Sequence, residues 1–140
     1  MIVLYEFRTS KGTNYQVSFD IDDLREDGIY VEVDFTVDGK MDDTNLGEQY
    51  QVMSTITAIV LEFIEEFQKH WYISRIDVSP IKSTDGGDKD IINPTDSRRG
   101  RLYLAYIKKQ LPKLSKPYQV GVFTGEFRIQ PEFENPFTKS

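Results

Sequence analysis

Apolar and polar residues alternate through most of the first third of the chain. Val3, Tyr5 and Phe7 interleave with Leu4, Glu6 and Arg8. A Ser10-Lys11-Gly12-Thr13-Asn14 turn cluster then leads to Tyr15, Val17 and Phe19, interleaved with Gln16 and Ser18. The two runs predict a β-hairpin. After a polar connection from Asp22 to Gly28, Ile29, Val31, Val33, Phe35 and Val37 line one face of a third run, with Tyr30, Glu32, Asp34 and Thr36 on the other. A period of two with one apolar face predicts a sheet buried on one side and wetter on the other. The expectation for this third is a three-stranded antiparallel meander.

The period then changes. Val52, Ile56, Ile59, Val60, Phe63, Ile64 and Phe67 fall at the three- and four-residue spacings of a helical stripe, with Glu62, Glu65 and Glu66 opposite. Asn45 stands where an N-cap belongs, and Glu48 three residues later completes a capping-box pattern. Lys69 and His70 suit the negative end of that helix. Residues 71–79 read as a strand, with Ile76 and Val78 on one side and Arg75 and Asp77 on the other. Residues 80–95 form a long polar loop, of the kind that is often functional. A second helix is expected over 97–111, with Leu102, Tyr103, Tyr106, Ile107 and Leu111 as its apolar side and Pro112 as its stop. Tyr118, Val120 and Val122 mark a further strand, and Thr124-Gly125 turns it towards a partner at 126–130. The tail from Pro131 to Ser140 carries Phe133 and Phe137 without periodicity.

The order β-β-β-α-β-α-β implies an α+β fold. The third strand and the one at 71–79 flank a helix, so a right-handed crossover would make them parallel. The sheet is therefore mixed, with two main helices packed against it.

Composition narrows the chemistry. The 140 residues contain no Cys and one His, which removes disulfides, thiolate zinc sites and His-rich metal centres. The pairs Asp22-Asp23 and Asp42-Asp43 lack the alternating ligands and Gly of an EF-hand, so no metal is expected. No apolar run approaches the ~18 residues that span a bilayer, and Met1–Tyr5 lacks the basic start of a secretion signal. Neither membrane insertion nor secretion is expected. Charge is unevenly spread: residues 1–95 hold 8 basic and 19 acidic side chains, and residues 96–140 hold 9 basic and 4 acidic. The acidic body repels a phosphate backbone and disfavours nucleic acid.

The element order resembles the core of the GNAT acetyltransferase fold, in which the central helix starts beside the pyrophosphate of acyl-coenzyme A. Thr44-Asn45-Leu46-Gly47-Glu48-Gln49 stands where that family carries its Gln/Arg-x-x-Gly-x-Gly/Ala turn, and Arg101-Leu102-Tyr103 looks like the Leu-Tyr of its second motif. Carried over, the resemblance makes Asn45, Gly47 and Gln49 cofactor contacts for acetyl-CoA, and Tyr103 the acid that protonates the coenzyme thiolate. Thr44-x-x-Gly47, Val52-x-x-Thr55-Ile56, Ile76-x-Val78 and Ser97-Arg98-x-x-Arg101-Leu102-Tyr103 together resemble a family of small bacteriophage proteins. On this reading residues 1–130 are a single GNAT-like domain and 131–140 a C-terminal tail.

The departures decide the expected function. Glu48, with Asp42 and Asp43 nearby, places negative charge where a pyrophosphate would need free N–H groups. Like charges at about 4–6 Å in a partly buried site cost on the order of a few kcal/mol, more than a few N–H bonds return. The leading expectation is thus a phage-type, non-enzymatic protein without a cofactor. It would act by protein–protein contact in the virion or the host cytoplasm, as a virion component or a host-factor binder. The alternatives are an acyl-CoA-dependent N-acetyltransferase and an anti-defence protein masking a host nuclease. Arg98, Arg99 and Arg101 crowd the first turn of the second helix, where each cation costs about a few tenths of a kcal/mol against the dipole. They are candidate contacts for an anion or a partner.

Overall fold

The computed structural model describes residues 1–9, 12, 14–22, 28–38, 46–79 and 98–137. Six strands and two helices follow the expected order: β1 (Ile2–Arg8), β2 (Asn14–Asp22), β3 (Ile29–Asp38), α1 (Leu46–Phe67), β4 (Ile73–Val78), α2 (Arg98–Gln110), β5 (Tyr118–Phe123) and β6 (Glu126–Pro131). They form one mixed sheet in the order β1-β2-β3-β4-β6-β5. β1, β2 and β3 are antiparallel neighbours, β3 and β4 are parallel, and β6 lies antiparallel between β4 and β5. The chain is therefore α+β, as its periodicities imply. Pro112 falls inside a 3-10 turn, Leu111–Lys113, rather than directly ending α2. That tighter winding tolerates its missing N–H.

One face of the sheet is dry. Tyr15, Val17, Phe19 and Ile21 of β2 and Ile29, Val31, Val33 and Phe35 of β3 are all buried, and α1 lays Val52, Met53, Ile56, Val60, Phe63 and Ile64 on the same core. Phe63 stacks on Phe19 with centroids 4.1 Å apart and on Phe67 at 4.2 Å. Such aromatic pairs add about 0.5–1.5 kcal/mol beyond the area they bury. Thr57, the polar residue within this stripe, returns its hydroxyl to the Met53 carbonyl at 2.8 Å. From α2, Tyr103 and Ile107 are buried, with Leu102 and Tyr106 half-buried beside them.

Two polar ties set how the helices meet the sheet. After α1, Gln68 donates to the Ser115 hydroxyl and accepts from the Tyr118 hydroxyl, both at 2.9 Å, and the Ser115 amide donates to Glu65. These bonds hold the end of α1 against the segment leading into β5. At the start of β3, Gly28 has φ +129°, and a Cβ there would come within 2.4 Å of the Tyr72 carbonyl. Only glycine allows that approach. Phe133, beyond β6, packs edge-on to Tyr72 and Tyr118.

Candidate functional site

Parallel pairing of β3 and β4 runs from Ile29↔Ile73 to Val33↔Val78, and the Ser79 amide reaches the Val33 carbonyl at 3.4 Å. β3 continues to Asp38, and beyond Val33 no described residue pairs with it on the β4 side. β3 thus runs on past the last residue of β4. α1 follows β3 and α2 leads away from β4, and their far ends meet near Gln68 and Ser115, so both helices begin at this end of the sheet.

The sequence-derived candidates distribute as follows. Gly47 and Gln49 lie in the first turn of α1; Asn45, together with Thr44, Asp42 and Asp43, lies outside the described residues. Arg98, Arg99 and Arg101 occupy the first turn of α2, and Arg101 is exposed. Tyr103, one turn further along, is fully buried and stacks on Phe127 at 5.8 Å. Phe127 is the register partner of Val78, so Tyr103 lies over the C-terminal end of β4.

The Tyr103 hydroxyl is the one buried side-chain polar atom without a hydrogen-bond partner among the described residues. An unsatisfied buried hydroxyl costs about 1–3 kcal/mol. Burial pushes its pKa far above the ordinary tyrosine value, so the group stays a neutral donor. His70 is exposed after α1, its amide donating to the Phe67 carbonyl at 3.1 Å. No group of residues able to hold a metal ion occurs among the described residues.

A second constellation, which the sequence reading passed over, occupies the open face of the sheet. Asp77 is only 4% exposed. It accepts hydrogen bonds from the Tyr30 hydroxyl, from Arg75 (Nε at 3.1 Å) and from Arg128 (Nε at 3.1 Å). Arg75 also donates to the Tyr30 oxygen at 2.9 Å and lies over that ring at 4.4 Å. Arg128 reaches Glu126 at 3.2 Å and lies over Phe123 at 4.0 Å. Gly121 makes room for this stack, since a Cβ there would stand 3.0 Å from the Phe123 ring. Burial first, then the hydrogen bond to Asp77, raises the Tyr30 pKa; burial first, then the Asp77 charge, raises that of Glu126. Arg75 sits across from Tyr30, and Asp77 across from Arg128, only because β4 lies between β3 and β6. The alternation of Arg75 and Asp77 gave their face but not their partners. The two arginines and the two carboxylates of the cluster balance in charge, and their contacts stitch four strands together.

No protein-family model matches this chain, and no curated protein matches it either. No helix among the described residues is long and apolar enough to cross a membrane.

Proposed function

We propose that the chain is a phage-type, non-enzymatic protein on a GNAT-like scaffold, acting by protein–protein contact as a virion component or a host-factor binder. The scaffold assignment draws support from the three antiparallel strands, the crossover to a parallel fourth and the β6 strand inserted before β5. One observation carries the functional reading. Of the eight exposed large apolar residues among those described, Ile2, Leu4, Val122 and Phe123 lie on the two outermost strands and Met1 directly precedes the first. Apolar surface along the outermost strands suits contact with another chain rather than enclosure of a small substrate.

A second reading has its own observation in its favour. The Tyr103 hydroxyl, without a hydrogen-bond partner among the described residues and near the C-terminal end of β4, fits an acid for a coenzyme thiolate in an N-acetyltransferase that takes acetyl-CoA. Isothermal calorimetry with acetyl-CoA separates the two. The contact reading expects any binding to be weaker than about 100 µM, some −5.5 kcal/mol. Tighter binding that Gly47→Glu abolishes overturns it.

A further inference from the structure

β5 is the outermost strand on its side of the sheet, and its six residues, Tyr-Gln-Val-Gly-Val-Phe, carry no charge. The Glu132 amide donates to the Pro117 carbonyl at 3.0 Å. With the unbroken antiparallel register of β5 and β6, this makes Gln119, Gly121 and Phe123 bond inwards to β6. Tyr118, Val120 and Val122 then turn their N–H and C=O groups outwards, and no described residue takes them up. The strand has no Lys, internal Pro or bulge of the kind that blunts a sheet edge. β1, on the other side, carries the charged Glu6 and Arg8, and charged side chains do blunt an edge.

Beside β5 runs a groove of about 580 Å³, within the ~300–1,000 Å³ of binding clefts. Leu111 and Leu114, after α2, form one wall, Tyr118 and Val120 of β5 the other, and Lys108 and Lys116 also line it. The stretch from Lys108 to Gln119 holds four lysines and no acid, and none of the four is ion-paired among the described residues. The Lys116 ammonium lies over the Phe133 ring at 5.2 Å. Two carboxylates come near. Glu65 accepts from the Ser115 amide and hydroxyl, and Glu132 follows β6 opposite Pro117. Four lysines against two carboxylates, one of them engaged, leave the groove positive.

We propose that this groove takes an extended segment of a partner protein, which adds to β5 as a further strand and sets a carboxylate against Lys108 or Lys116. The inference rests on the reading of the chain as a protein-contact module and names the kind of partner. Three residues with outward N–H and C=O groups in a row match the backbone of a strand; a helix spends its own backbone groups internally and would leave these unpaired. Every second side chain of the added strand turns to the side of Tyr118 and Val120, between β5 and the end of α2, where apolar residues fit. The lysines select acidic residues in the same segment by charge complementarity.

Panning a random peptide library against the full chain tests this. Enriched peptides should carry apolar residues at alternate positions and an Asp or Glu among them. The strongest, made synthetically, should bind Lys108→Glu/Lys116→Glu about tenfold more weakly than wild type, and should weaken as salt rises from about 50 to 500 mM. Alternate amides of an added strand bond to β5 and the others face away, so N-methylating one alternate set should abolish binding and N-methylating the other should leave it. The methylated peptides leave the protein itself unchanged, so misfolding does not enter. A library that yields no enriched sequence overturns the proposal. So do two methylated sets that behave alike, which means contact through side chains alone, or full binding by the double lysine variant. Self-association of the chain that Val122→Lys abolishes means that the edge takes a second copy, and overturns it too. Failure of these tests without acetyl-CoA binding leaves the contact reading standing, whereas acetyl-CoA binding tighter than about 100 µM removes that reading whatever the peptides do.

Discussion

Phe63 and Asp77 are both almost wholly shielded from water, on opposite faces of the same sheet. Phe63 needs nothing but neighbours of the right shape, and it has them in Phe19 and Phe67. Asp77 needs three named donors from three strands, and it has those too. The covered face is held by burial, which tolerates small shifts. The open face is held by a charge that is stabilising only while every partner is in place. That difference explains why the helices crowd one side. The other side has a polar, hydrogen-bonded centre that no apolar helix could cover without stranding charge.

The contrast can be broken most sharply at its apolar end. Phe63→Ala should cost about 3–5 kcal/mol of stability in urea unfolding, by lost transfer energy and the cavity left behind. A loss below about 1 kcal/mol would mean that the covered face is loosely packed. Next in size is Asp77→Ala, expected to cost about 2–3 kcal/mol. That is less than for a fully buried pair, because Arg75 and Arg128 keep 31% and 20% exposure. If the double variant Asp77→Ala/Arg128→Ala is no more stable than Asp77→Ala alone, stranded charge is not the source of the cost.

Tyr103→Phe tests the one place where the covered face departs from its own rule. Removing an orphan hydroxyl should raise stability by about 1 kcal/mol. It should also lessen the loss of stability above pH ~10, since a tyrosine whose folded pKa lies above its unfolded value loses stability as pH rises past the unfolded one. Destabilisation by Tyr103→Phe would show that the hydroxyl has a partner after all. The smallest effect belongs to Glu126. Its raised pKa means the folded state holds the proton more tightly, so this group's contribution falls as pH climbs from the ordinary carboxylate value through the raised one. Glu126→Gln removes that fall, so melting temperature relative to wild type should increase with pH over this window. A flat difference would place Arg128, not burial and Asp77, in control of Glu126.

The elements themselves were legible in the sequence. Val31, Val33 and Phe35 alternate because strand geometry puts every second side chain on one face, and Ile56, Val60, Phe63 and Ile64 recur because a helix turns every 3.6 residues. Both are properties of local chain geometry, so each could be placed before any fold was known, along with the crossover that makes β3 and β4 parallel. The functional candidates were legible only as types. The Tyr103 ring was assigned to the apolar side of α2, where it lies, but nothing local shows that its hydroxyl has no donor or acceptor among the described residues.

What the sequence determined, then, is which residues face inwards and in which element. What only the tertiary structure decided is which elements touch. β6 enters between β4 and β5, and that choice alone sets Arg128 across from Asp77, stacks Phe127 under Tyr103 and leaves β1 and β5 as the outermost strands. The reason is physical: periodicity is written along the chain within a few residues, whereas strand order is settled by pairing between distant segments, such as Ile76 with Ile129, through burial and charge that no local window contains.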